Sequence, residues 1–219
     1  MALIKEITQE IERHGARLVA VSKTKSVSEI MKIYNEGQRV FGENRVQELM
    51  DKKDLLPGDI QWHLIGHLQR NKVKYIAPFI SMIHSIDSLE LAAEVDRQAA
   101  KLKRKIPVLL QIRIAEEETK FGISPSMIDQ FASDLLRQGS TYLVFSGVMG
   151  MASFVDDEDQ IAREFRNLKI TFEHLRKQYF MDNPDFREIS MGMSGDYKIA
   201  LTEGSTMVRI GSLIFGARN

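Results

Sequence analysis

Eight short apolar segments alternating with helical stretches predict a closed (β/α)8 barrel, a single domain over residues 1–219 with an additional N-terminal helix. Three observations carry this reading. The alternation of strand and helix continues along the whole chain, which means a parallel sheet. Segments such as Leu18-Val19-Ala20-Val21 and Val108-Leu109-Leu110 are apolar at successive positions, as expected of strands covered on both faces. No Gly/Ser linker, composition break or short repeat divides the chain. An open doubly wound sheet is the alternative, but the dinucleotide fingerprint is missing. Gly192-Met193-Ser194-Gly195 has the wrong glycine spacing, and there is no Walker sequence.

The elements follow in order. Residues 2–14 place Leu3, Ile4, Ile7 and Ile11 at helical spacing, which predicts an amphipathic helix over one end of the domain. The first strand is Arg17 to Ser22. Ser26 and Ser28 can start the next helix, which turns Ile30, Met31, Ile33 and Tyr34 inward, with Gly37 just past its end. Strands two, three and four fall at Arg39–Gly42, Ile60–Gly66 and Phe79–His84, with helices running through Met50 and opening at Gln69 to Lys72. The helix from Ser88 to Leu102 buries Leu89, Ala92, Ala93 and Val95. Pro107–Arg113 is the fifth and clearest strand, followed by an acidic loop at Glu116 to Glu118 and a helix opening at Ser124-Pro125. Tyr142–Val148 is the sixth strand, Asp156 to Gln178 a long helix, Phe186–Ser190 the seventh strand and Thr206–Gly211 the eighth.

Composition narrows the function classes. An apolar content of 43% supports a large core. Lysine plus arginine equals aspartate plus glutamate at 30 each, so no global charge calls for nucleic acid or an anionic membrane. The absence of cysteine excludes disulfides, thiolate zinc sites and thiol nucleophiles, and fits a reducing compartment. Charges at Lys5, Glu6, Glu10 and Glu12 leave no signal-peptide core, and no stretch approaches the ~20 apolar residues of a membrane span. A soluble cytoplasmic protein is expected. Lys101 to Lys105 is basic but lacks interleaved aromatics to stack bases, so it reads as a helix end whose charges suit the dipole.

The chemistry gathers at the strand ends. Val19, Val21 and Lys23 share one face of the first strand, which places Lys23 at its carboxyl end, on a packing face. Burial disfavours the charged form of an amine, and a neutral amine can attack a carbonyl and form a Schiff base. Other distinctive strand-end groups are Lys25, Asn44, His63, His67, Arg113 with Lys120, Met149, Ser194 with Gly195, and Arg209 with Gly211. The charges of this set are positive, so paired carboxylate acid–base work is not expected, and no metal site is indicated. His63 beside Trp62 reads as a packed, hydrogen-bonded histidine, and the methionines as core filler. Ser194 can cap the helix after strand seven, and Gly211 follows strand eight. Barrels often bind phosphate with the loops after those two strands. A Schiff-base lysine and a phosphate site on one face suit pyridoxal phosphate, and a phosphosugar aldolase would need the same two things.

The chain closely resembles the pyridoxal phosphate homeostasis proteins. The matching segments are Ala20-Val21-Ser22-Lys23-Thr24, Phe41-Gly42-Glu43-Asn44, Trp62 to Gly66, Lys120-Phe121-Gly122, Gly147-Val148-Met149, Ser190 to Ser194 with Asp196, and Gly204 to Gly211. The resemblance implies a TIM barrel similar to the N-terminal domain of alanine racemase, with Lys23 holding pyridoxal 5'-phosphate as a Schiff base. It places Ser194, Gly195 and Gly211 around the phosphate, Arg209 near the ring or phosphate, and Asn44 and Met149 at the cofactor. Lys25 and Lys120 would be further lysines at the site. Arg113 and His67 depart from the residues common in the family. An arginine at the ring nitrogen would leave it unprotonated and a weak electron sink. The similar racemases also bring a tyrosine from an added β-domain, and no such domain is expected after strand eight here. The resemblance thus implies a cofactor carrier that acts in homeostasis without robust turnover, monomeric and serving pyridoxal-phosphate-dependent apoenzymes. A racemase-like enzyme is the alternative.

Overall fold

The computed structural model describes residues 2–116 and 121–216, leaving Glu117, Glu118 and Lys120 of the expectations above outside the described residues. Eight parallel strands close into a barrel, with β8 pairing back to β1. They are β1 (Arg17–Val21), β2 (Val40–Glu43), β3 (Gln61–Leu64), β4 (Met82–Ile86), β5 (Ile106–Gln111), β6 (Leu143–Met149), β7 (Glu188–Ser190) and β8 (Met207–Ile210). Each strand foreseen from the sequence is present. The largest boundary shift is at β4, which starts at Met82 rather than Phe79. The preceding helical turn runs on, with the Phe79 and Ile80 N–H groups both donating to Ile76 O, and so holds Phe79 out of the sheet.

The helices are α1 (Ala2–Arg13), α2 (Val27–Asn35), α3 (Val46–Lys53), α4 (Val73–Ile76), α5 (Leu89–Lys101), α6 (Ile128–Gln138), α7 (Glu158–Gln178), α8 (Tyr197–Thr202) and α9 (Ser212–Phe215). None of them is long and apolar enough to cross a membrane, among the described residues. Alternation along the strands builds two apolar layers. Outward-facing Phe41, Trp62, Leu64, Val108, Val148 and Ile189 pack against helix residues such as Ile30, Leu49, Val95, Phe165 and Leu168. Inside the barrel, Val19, Val21, Met82, Leu109, Met149 and Met207 form a separate cluster with Ile65. Val19 and Val21 thus point to the barrel axis, as the strand period predicts.

Two expectations are corrected. The N-terminal helix α1 covers a flank of the barrel, not an end. Its Ile7 and Ile11 pack with outward-facing Leu18, Val208 and Ile210 and with Tyr197 and Leu201 of α8. A helix as short as α8 cannot by itself cover the seam between β8 and β1, and α1 completes it. Helix α5 buries Leu91, Ala92, Val95 and Ala99, while Leu89 and Ala93 lie at the margin. The buried set follows the 3.6-residue period and the face is turned slightly from the one expected.

Helix α2 begins with a capping box. Ser26 Oγ accepts from Glu29 N–H, and the Glu29 carboxylate accepts from Ser26 N–H at 2.7 Å. The Ser26 hydrogen bonds hold the Glu29 carboxyl down at about 2. Ser26→Ala is expected to lower stability by about 1 kcal/mol, read as a lower urea midpoint at unchanged slope. A midpoint equal to wild type would count against a stabilising role for this cap.

Candidate functional site

The carboxyl ends of the strands meet at one face, and a cavity of about 390 Å³ opens there. Of the seven residues singled out from the sequence as contacts, six line it: Lys23, Asn44, Ser194, Gly195, Arg209 and Gly211. Lys23 follows β1 as Val19 and Val21 continue inward, and is half-buried. Asn44 is set by a close approach of neighbouring backbones. A Cβ on Gly66 would lie 2.3 Å from Asn44 O, so only glycine lets the ends of β2 and β3 come together here.

The seventh residue, Met149, is not at the cavity. It is 1% exposed and belongs to the barrel-interior cluster, while Met151, two positions on, lines the cavity. The strand period keeps both residues on one side, and only the later one reaches the opening. Ser194 is also not a helix cap. Asp196 occupies the N-cap of α8, and Ser194 Oγ instead accepts from Gly211 N–H at 3.2 Å, joining the loops after β7 and β8. Lys25 lines the cavity too, but its Nζ donates to Phe215 O at 3.2 Å and pairs with Glu29 at 3.3 Å. Arg113 and His67 are not among the lining residues. His67 stacks on Phe121 at 4.3 Å and lies 3.5 Å from Asp87.

Arg209 is the most constrained group of the site. It is 3% exposed, donates from Nη1 to Ser190 Oγ at 2.7 Å and from Nη2 to Gly150 O at 3.0 Å. Burial brings its pKa down to about 10, which leaves the guanidinium charged at neutral pH. Ser190 Oγ continues to His84 Nδ1 at 3.0 Å, and His84 Nε2 to His63 Nδ1 at 2.9 Å. Burial, and then neighbouring positive charge, holds both imidazoles neutral, His63 at about 3 and His84 well below the usual histidine value. One proton assignment uses each contact: Ser190 accepts from Arg209 and donates to His84, which donates to His63. The expected packed role of His63 therefore holds, and the chain His63–His84–Ser190 fixes the guanidinium from below.

The charges lining the cavity are positive but for one carboxylate. Asp196 lines the cavity, and its Oδ1 accepts from Met193 N–H at 2.5 Å. Burial raises its pKa, against the pull of the Met193 bond and Arg209. Glu43 is fully buried at the end of β2, but on the helix side of the sheet. Phe154 was also missed. It is 96% exposed at the cavity edge, on a loop clamped where Ser153 N–H and Oγ donate to the buried Glu164 carboxylate at 2.6 and 2.7 Å. The period-2 pattern puts Met151 on the same side as Met149 and does not mark which of them reaches the opening; no local signal marks Phe154. No group of three or more potential metal ligands occurs among the described residues.

Residues 2–219 match the family model described as alanine racemase, N-terminal domain. A pyridoxal phosphate homeostasis protein of Aquifex aeolicus is 36% identical over 99% of this chain and 95% of its own length. One from Escherichia coli K12 is 37% identical over 92% of this chain and 86% of its own. PipY of Synechococcus elongatus, solved without PLP, superposes with a TM-score of 0.91 at 31% identity, covering 98% of this chain and 99% of PipY. The same protein solved with PLP bound gives a TM-score of 0.87.

Proposed function

Since the chain belongs to the pyridoxal phosphate homeostasis protein family, we propose that it binds pyridoxal 5'-phosphate in the strand-end cavity and acts in cellular homeostasis of that cofactor, buffering or delivering it. The observation that carries the reading is one cavity lined by Lys23, Arg209, Ser194 and Gly211, from opposite ends of the chain.

The residues present fit the group. The volume of about 390 Å³ lies in the range of small-molecule sites. The donor set holds an amine for an aldehyde, a hydroxyl and loop backbone for a phosphate, and a charged guanidinium anchored on Ser190 and Gly150. A Cβ on Gly211 would press on Val21 O at 3.3 Å, so the bare backbone there lets the loop after β8 lie close against β1. When bound, the cofactor supplies an aldehyde that joins to a lysine and a ring that can accept electrons.

Lys23 is the residue proposed to hold the aldehyde carbon. The Ser194 hydroxyl, whose proton stays available while its oxygen accepts from Gly211 N–H, and the backbone at Gly195 would orient the phosphate against Gly211, and Asn44 and Ile65 would wall the ring. Arg209, charged and held on Ser190 and Gly150, would pass no proton to a ring nitrogen placed near it, and a cofactor held so would supply only a weak electron sink, which favours retention over turnover. The chain is proposed to work as a monomer that passes cofactor to apoenzymes.

Purified wild type loaded with pyridoxal phosphate is expected to show the yellow absorption of lysine-bound cofactor, and Lys23→Ala to lose it. Borohydride reduction followed by peptide mapping should place the label on the peptide containing Lys23. Amino acids in deuterated buffer should exchange their α-proton no faster than with free cofactor. A wild type that is colourless once unbound cofactor has been removed would refute binding, and rapid exchange dependent on Lys23 would refute the carrier role.

A further inference from the structure

The segment carrying Lys23 is held from behind by a buried charge cluster that plays no part in the cavity itself. Successive residues of β1 alternate, so Lys23 faces the cavity while Ser22 faces the helices. Ser22 Oγ donates to Glu43 Oε1 at 2.7 Å. Lys52, on α3, enters the same space. Its Nζ donates to Ser22 O at 2.9 Å, Glu43 Oε1 at 2.9 Å and Glu48 Oε1 at 2.6 Å. Three donors meet three acceptors, so the ammonium is fully used. Glu48 Oε1 in turn accepts the backbone N–H of Thr24. The cluster therefore grips the residues on both sides of Lys23.

Two features show what this arrangement costs. Thr24 has φ +65, a left-handed conformation that a β-branched residue rarely adopts. Glu43 is 0% exposed, and its Oε2 has no hydrogen-bond partner among the described residues. Buried ion clusters of this kind are often no more stabilising than apolar packing of the same volume. What this one does that apolar packing would not is fix two successive backbone groups in a strained turn.

We propose that Lys52 is a positioning residue for Lys23: between Glu43 and Glu48 it locks the Ser22–Thr24 turn from the helix side of the barrel, and so holds the Lys23 amine where the aldehyde of the cofactor is to meet it. The inference rests on the proposed binding of pyridoxal phosphate. Its own content is that Lys52 acts on the bond to Lys23 and not on Arg209 of β8 or on the phosphate contacts in the loops after β7 and β8, while Asn44 and Ile65 keep their places after β2 and β3.

Pyridoxamine 5'-phosphate separates the two, because it has the same ring and phosphate but no aldehyde to join to a lysine. In Lys52→Met, affinity for pyridoxal phosphate is expected to fall by about tenfold or more, the scale on which residues that orient a metal ligand act. Affinity for pyridoxamine phosphate, measured by calorimetry or fluorescence, should stay within about twofold of wild type. Parallel loss of both ligands would show a merely structural role and overturn the proposal, as would unchanged affinity for both. If Lys52→Met does not fold, Glu48→Gln carries the test. It keeps the side-chain length and weakens the acceptor for Thr24 N–H, and the same selective loss is expected; an unselective or absent effect overturns the proposal. Failure of the parent reading looks different: wild type itself would then show no Lys23-dependent preference for the aldehyde.

Discussion

Gly147→Ala is expected to destabilise the protein by more than about 4 kcal/mol, enough to leave little soluble folded material. Gly147 lies in β6 at φ +144, and a Cβ there would fall 1.9 Å from Glu188 O and 2.8 Å from Glu188 N. The obstacle is the backbone of the paired strand, not a flexible side-chain end. The close approach follows from a bulge. The β5–β6 register passes from Val108↔Phe145 to Leu109↔Gly147, skipping Ser146, and the bent strand brings Gly147 against Glu188 of β7. Relief would require parting β6 from β7, which opens the barrel beside Ser190 and Arg209. Urea unfolding of the variant measures the effect; stability within about 1 kcal/mol of wild type would mean that the bulge is not obligatory.

Stability is expected to fall steeply as pH drops below about 6.5, because two buried imidazoles resist protonation. Burial lowers the pKa of His63 to about 3 and that of His84 well below its usual value, with the positive charges of Arg17 and Arg209 adding to the effect on His84. The unfolded chain takes up protons on both residues near 6.5, while the folded chain does not until lower pH. More protons are then bound by the unfolded state, and stability declines as pH falls through that window. The slope is about 1.4 kcal/mol per pH unit for each histidine. Glu43 acts oppositely: burial raises its pKa, so it favours the folded state as pH falls toward its unfolded value. His63→Asn retains hydrogen-bonding capacity without titrating, and comparison with wild type isolates the histidine contribution. Urea midpoints from pH ~7.5 down to ~4.5 should converge on acidification. A constant difference across that range would show that His63 is not held neutral by its surroundings.

The two predictions mark where local reading stops. Gly147 was legible only as a glycine inside a strand, because the atom it must avoid belongs to Glu188, paired to it across the sheet. His63 was legible as a packed histidine, but His84 as its partner was not, since they come from adjacent strands and meet only when those strands pair. Ser194 shows the reverse. Its sequence position allowed a cap on the following helix, and the tertiary alternative, Gly211 N–H from the next strand end, took the hydroxyl instead.

Strand period and the alternation of apolar strands with helices determined the barrel, the inward direction of Val19, Val21 and Lys23, and the convergence of strand ends, because those properties repeat within a few residues along the chain. Tertiary structure alone decided that Met151 and not Met149 reaches the cavity, that Asp196 lines it, that Arg209 is fixed through Ser190 and His84, and that Lys52 crosses from α3 to hold the turn around Lys23. Those outcomes depend on depth along the barrel axis and on distances between segments far apart in sequence. Hydrophobic periodicity records which face a side chain takes, and carries no record of how far along that face its neighbours lie.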